Sequence, residues 1–137
     1  MIKIETIMTR NPIFTSQHAN VNKARNLMSE HKIRHLPVKD IDSGKLIGMI
    51  TQKSLLANAI KIINRRGFDK LEHFEKSQDV ESLMSANPAT CSSDDSVGEA
   101  ARLLRENRNG CIPVVKDEHL VGVVTSSDFL KLHLDES

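Results

Sequence analysis

Apolar residues return at helical spacing in two places, at Val21, Ala24, Leu27 and Met28 and again at Val97, Ala100, Leu103 and Leu104. That spacing puts each set on one face of a helix, and the face has to be buried. Asn20 and Ser96 precede the runs as capping residues. Ser96-Val97-Gly98-Glu99 has the form of a capping box, in which hydroxyl and carboxylate satisfy free backbone N–H groups. Two stretches of strand character follow each helix. Those at 36–39 and 112–115 carry a proline near the start, and proline donates no ladder hydrogen bond, so it belongs at a strand's beginning or edge. Those at 46–51 and 120–125 are nearly all apolar, which predicts cover on both faces. The turns Asp42-Ser43-Gly44 and Asp117-Glu118-His119 join them. Short extended segments at 13–15 and 89–91 precede the helices, and a second helix closes each half, so each half reads β-α-β-β-α.

The two halves are copies. Ile7-Met8-Thr9-Arg10-Asn11-Pro12 aligns with Leu83-Met84-Ser85-Ala86-Asn87-Pro88, 76 residues later. Leu36-Pro37-Val38 aligns with Ile112-Pro113-Val114 at the same offset. After a gap of two residues, Leu46-Ile47-Gly48-Met49-Ile50-Thr51 aligns with Leu120-Val121-Gly122-Val123-Val124-Thr125. So many matches in one order point to duplication. The chain divides into a first repeat over 1–64, a linker over 65–79 and a second repeat over 80–137. Leu55, Leu56, Ala59, Ile60 and Ile63 extend a helical stripe beyond what the repeat requires, ended by Arg65-Arg66-Gly67. The stripe either covers the module's own core or buries against a second copy. Residues 68–77 are polar with two Phe and read as a further short helix.

Charge and composition narrow the function. Lys plus Arg is 19 and Asp plus Glu 18, a net charge of +1, so nothing favours nucleic acid or an anionic membrane. The longest apolar run is far short of the roughly 20 residues of a membrane helix, and the first residues do not form a secretory signal. A cytoplasmic protein is expected, with Cys91 and Cys111 as reduced, buried thiols. Aromatic residues are 3%, which argues against base recognition by stacking. His31 and His35 are four apart, but Pro37 and the turn before it break helical geometry there, so no metal site is expected. No catalytic set or phosphate loop is visible.

Two copies of Met-(Thr/Ser)-x-Asn-Pro, a helix, an (Ile/Leu)-Pro-Val strand and a Gly-h-h-Thr strand resemble tandem cystathionine-β-synthase (CBS) domains over nearly the whole chain. The resemblance implies an α+β fold, two β-α-β-β-α units packed sheet to sheet about a pseudo-twofold axis, with two clefts between them. It implies a regulatory or sensor module, not an enzyme, that needs no cofactor. Its ligand would be an adenosyl small molecule: AMP, ADP, ATP or S-adenosylmethionine. Such pairs often form homodimers and signal to a regulated protein, here unknown, by conformational or oligomeric change. The alternative is a structural dimerisation module with vestigial clefts.

The family's ribose motif is complete in the second repeat, Gly122-Val123-Val124-Thr125-Ser126-Ser127-Asp128. An ionised carboxylate can accept from both ribose hydroxyls. Thr125, Ser126, Ser127 and the first-turn N–H groups could receive phosphate. Asp128 is also favourable in a first helical turn with no ligand at all. The first repeat has Ser54 where the acid belongs, after Thr51 and Lys53, and a neutral hydroxyl does not replace a bidentate carboxylate. Arg34, His35 and Lys53 either supply charge to this first site or form ordinary solvated surface. By the same resemblance the adenine would lie against Thr90, Cys91, Cys111, Ile112 and Pro113, or, in the first site, against Thr15, Ser16, His35, Leu36 and Pro37. Gly48 and Gly122 lie inside strands, either for close approach of a ligand or twin repeat, or for plain packing.

Overall fold

The computed structural model describes residues 1–107 and 110–132. In chain order the strands are β1 (Thr9–Arg10), β2 (Thr15–Ser16), β3 (His35–Lys39), β4 (Leu46–Thr51), β5 (Ser85–Ala86), β6 (Cys91–Ser92), β7 (Cys111–Lys116) and β8 (His119–Thr125). The α-helices are α1 (Val21–His31), α2 (Gln52–Arg66), α3 (Leu71–Lys76) and α4 (Val97–Glu106), and a 3-10 helix spans Ser126–Lys131. The predicted β-α-β-β-α order is present twice. The short strands sit one or two residues later than expected. The second repeat closes with a 3-10 helix rather than an α-helix.

The chain forms two compact units, Ile13–Asn87 and Met1–Pro12 together with the chain from Pro88 onward. In the first, the sheet order is β2-β3-β4-β5; in the second it is β1-β8-β7-β6. β2 runs parallel to β3 and β6 parallel to β7, while the other pairs are antiparallel. A helix supplies each parallel crossover, as parallel strands require. Asn20 accepts from the Lys23 N–H at 2.8 Å and Ser96 from the Glu99 N–H at 3.2 Å, so both capping residues act as read, but the Glu99 carboxylate pairs with Arg102 instead of completing a capping box. Val21, Ala24 and Met28 are buried with Leu36, Val38, Ile50, Leu55 and Val80 in one core. Ala100, Cys91, Ile112, Val114 and Val124 are buried in the other, together with Ile4, Ile7 and Met8 from the N-terminus. β4 buries Gly48, Met49 and Ile50 in succession, as a doubly covered strand should, whereas β8 fully buries only alternate residues.

The Met-x-x-Asn-Pro segments do more than lead into the repeats. β1, from the first copy, pairs with β8, Thr9 opposite Val123 and Arg10 opposite Gly122. β5, from the second copy, pairs with β4, Ala86 opposite Gly48 and Ser85 opposite Met49. Each motif therefore closes the sheet built by the other repeat. Backbone bonds reinforce the exchange: the Ile4 N–H donates to Asp95 O at 2.8 Å and the Val97 N–H to Ile2 O at 2.9 Å. In the other unit the Val80 N–H donates to Ala19 O at 2.8 Å and the Val21 N–H to Gln78 O at 2.9 Å. The chain leaves one unit for the other at the two Asn-Pro steps. Asn11 and Asn87 both have φ 51°, the left-handed region that asparagine tolerates better than most residues.

This pairing accounts for the strand glycines. A Cβ on Gly122 would lie 2.8 Å from Met8 Sδ and 2.9 Å from Thr9 O; one on Gly48 would lie 2.6 Å from Met84 Sδ and 3.0 Å from Ser85 O. Each glycine makes room for the methionine and backbone of the exchanged motif.

The linker stripe divides. Leu55 and Ala59 are buried in their own unit, while Leu56 and Ile60 are more than half exposed. α3 docks through Glu75, which is fully buried. The Arg25 Nε lies 2.9 Å from both of its carboxylate oxygens and Arg25 Nη2 2.6 Å from Oε2, with Asn22 Nδ2 donating at 3.2 Å. Asn58 and Gln78 exchange amide hydrogen bonds of 2.8 and 3.1 Å beside it.

Candidate functional site

In the second-repeat unit, the end of the β7–β8 ladder gathers most of the residues singled out for the second site. Cys111 lies opposite Thr125 in the ladder. Ser126 and Ser127 follow on the surface, and Asp128 then turns inward, only 5% exposed. Its carboxylate is fully engaged. Oδ2 accepts from the Thr125 N–H at 2.9 Å and the Thr125 hydroxyl at 3.5 Å; Oδ1 accepts from the Thr9 hydroxyl at 3.0 Å and forms an ion pair with Lys131 Nζ at 2.8 Å. The Thr125 hydroxyl lies 3.1 Å from that of Ser127. Ser126 faces elsewhere, lining a groove of about 370 Å³ with Ala101, Leu104, Arg105 and Phe129. Ile112 and Pro113 are buried in β7. Cys91 sits opposite Val114, with its thiol 3.9 Å from the Pro113 carbonyl, and Thr90 is exposed just before it.

The corresponding end of the other sheet carries the same reciprocal cap, with Thr51 and Ser54 in the places of Thr125 and Asp128. His35 lies opposite Thr51. Thr51 caps α2: its hydroxyl accepts from the Ser54 N–H at 3.1 Å, and the Ser54 hydroxyl donates to Thr51 O at 2.8 Å. Ser54 is thus a helix-capping residue here. Lys53 is exposed; Leu36 and Pro37 are buried in β3; Thr15 is buried and Ser16 half-buried in β2. Arg34 lines a groove of about 390 Å³ between α1 and the start of α2, with Arg25, Lys32, Gln52, Leu55 and Leu56 among its neighbours. The structure therefore places Arg34 with α1 residues that sequence reasoning did not group with it.

Thr9 and Lys131 were also missed. Thr9 lies in the duplicated motif, and Lys131 stands three residues after Asp128, a helical spacing. Their meeting at one carboxylate depends on the β1 exchange.

Both thiols are deeply protonated. Burial pushes the Cys111 thiol from 9.0 to about 12, with the nearby Asp128 charge adding to the effect. Burial does the same to Cys91, from 9.0 to about 12, helped by Asp95 and Glu99. The thiolate is the reactive form. Ellman's reagent at pH 8 should therefore modify both cysteines only at the rate of unfolding, and denaturant should release both at once; fast modification of either thiol in the folded protein would contradict its burial. The linkage sign follows: a folded thiol that holds its proton while the unfolded one loses it makes stability fall as pH rises. The contribution is intact below about pH 9 and declines between 9 and about 12.

Among the described residues, no group of three His, Cys, Asp or Glu side chains could hold a metal ion, and no helix is long and apolar enough to cross a membrane.

The sequence model of the CBS domain matches residues 4–69 and 80–135. An uncharacterized protein of Methanocaldococcus jannaschii is 35% identical over 136 residues, which is 97% of this chain and 32% of that protein, so the chain spans about a third of this relative's length. A structure of CBSX2 in complex with AMP superposes with a TM-score of 0.79 at 27% identity, covering 96% of this chain and 95% of the other. The CBS domain pair of protein MJ0100, in complex with 5′-methylthioadenosine and S-adenosyl-L-methionine, gives 0.75 at 26% identity, covering 96% and 94%.

Proposed function

The chain belongs to the CBS domain family, as two copies in tandem, and from that premise we propose that it is a non-catalytic regulatory module of the cytoplasm that binds an adenosyl ligand at the strand–helix junction of the second repeat. The observation that carries the reading is the junction itself. Thr125–Asp128 places a carboxylate and two hydroxyls within one turn of chain, at the start of a 3-10 helix. A carboxylate suits a ribose diol, and the hydroxyls suit phosphate or carboxylate beyond it. The complexes of relatives with AMP, 5′-methylthioadenosine and S-adenosyl-L-methionine support the adenosyl class. Ser54 at the matching position of the first repeat makes the second repeat the principal site. Signalling would pass to a partner protein, and the exposed Leu56 and Ile60 would bury against a second copy of the chain in a homodimer.

A melting series with AMP, ADP, ATP, S-adenosylmethionine and GTP tests this. A ligand at a hundred times its dissociation constant adds about 2.7 kcal/mol, a rise of roughly 5–15 °C for a protein of this size. One adenosyl compound should give that rise, and Asp128→Asn should abolish it. No rise with any of them would reassign the module to structural dimerisation through α2.

A further inference from the structure

The donors already on Asp128 leave little room for a ligand. A carboxylate offers about four lone-pair positions. On Oδ1 the Thr9 hydroxyl donates at 3.0 Å and the Lys131 ammonium forms an ion pair at 2.8 Å; on Oδ2 the Thr125 N–H donates at 2.9 Å and the Thr125 hydroxyl at 3.5 Å. A ribose diol brings two further donors, so a partner already present has to give way. The donor that can leave is Lys131. Its side chain is half exposed, whereas Thr9 is fixed in the edge strand and the Thr125 N–H belongs to the backbone. Lys131 also makes a second bond, its ammonium donating to the Ile7 carbonyl at 2.9 Å. Ile7 immediately precedes the Met8-Thr9-Arg10 segment that closes this sheet.

We propose that Lys131 is an autoinhibitory latch: it fills the place of one ligand hydroxyl on Asp128 and pins the N-terminal strand, so that a ligand diol that displaces it releases that strand. This rests on the reading of Asp128 as a diol acceptor. It adds a direction of output. The segment Ile7–Arg10 is where occupancy of the site is first felt, because the same ammonium bridges Asp128 and Ile7.

The test uses adenosine, an uncharged probe, so that loss of the lysine charge does not itself repel or attract a phosphate. Affinity is measured by calorimetry for the wild type, Lys131→Met, Lys131→Arg and Asp128→Asn, with amide exchange read at Thr9 and Arg10. Lys131→Met should bind adenosine about threefold more tightly or better, the scale of a half-exposed ion pair, and Lys131→Arg should restore the wild-type value. In the wild type, adenosine should speed exchange at Thr9 and Arg10; in Lys131→Met exchange should already be fast and should not respond. A Lys131→Met protein that binds more weakly, or a wild type whose Thr9 and Arg10 exchange does not change on binding, overturns the latch while leaving the diol reading intact, provided Asp128→Asn loses adenosine. If Asp128→Asn binds as the wild type does, or the wild type binds no adenosyl compound, the diol reading falls and the latch with it.

Discussion

Replacing Arg25 by alanine is expected to lower stability by about 3–5 kcal/mol, because it strands a buried charge. Glu75 is completely inaccessible, and Arg25 makes three of its hydrogen-bonding contacts; the remaining donor is Asn22. Urea unfolding would show the loss as a lower midpoint, and the melting temperature should fall by roughly 10–20 °C. Arg25→Met combined with Glu75→Met should recover most of the loss, since exchanging a whole buried ion pair for apolar groups is often neutral or better. A single Arg25→Ala as stable as the wild type would mean that Glu75 is not held by this pair. The consequence reaches beyond stability, because this contact is what fixes α3 against α1.

Gly122→Ala is the second large effect, at about 1–3 kcal/mol. Two residues stand in the way of the new methyl group. Met8 Sδ, at 2.8 Å, is the end of a flexible side chain and can move; Thr9 O, at 2.9 Å, is backbone in the paired strand and can move only by leaving β8. Met8→Ala in the same chain should therefore rescue only part of the loss. Gly98→Ala is the control. It lies in α4, where a Cβ would meet nothing nearer than Ser96 Oγ at 3.6 Å, so it should stabilise by about 0.5–1 kcal/mol through helix propensity. Equal urea midpoints for Gly122→Ala and the wild type would show that β1 does not sit against β8 as described.

These two sites also mark where the sequence stopped being informative. The helix faces of α1 and α4 were legible, because three- and four-residue spacing is a local signal and Asn20 and Ser96 announce the starts. The β-α-β-β order was legible for the same reason, and the duplication made each half a check on the other. The exchange of β1 and β5 was not. A two-residue strand has no periodicity, and its pairing is decided by partners more than a hundred residues away in one case. Gly48 and Gly122 carried a trace of it, since a glycine in a strand signals a close neighbour without naming it. The same holds at the candidate site. Thr125 and Asp128 could be read from one motif, but the tie from Lys131 to Ile7 depends on the exchange, and Arg25 and Glu75 are 50 residues apart. Ser54 stands where the ribose motif has its acid, and it caps α2 as Asp128 caps the 3-10 helix, a local role that the motif alone did not announce.

The exchanged edge strand also sets an order of events during synthesis. Residues 13–87 are continuous in sequence and can begin folding as soon as they emerge. Met1–Pro12 emerges before them but belongs with the chain from Pro88 onward, and its sheet partner β8 ends at Thr125. At roughly 5–20 residues per second, β1 waits about 5–25 s for the strand it pairs with. Through that interval Ile4, Ile7 and Met8 wait for the core they belong to, so a stretch made before residues 13–87 finds its place after them.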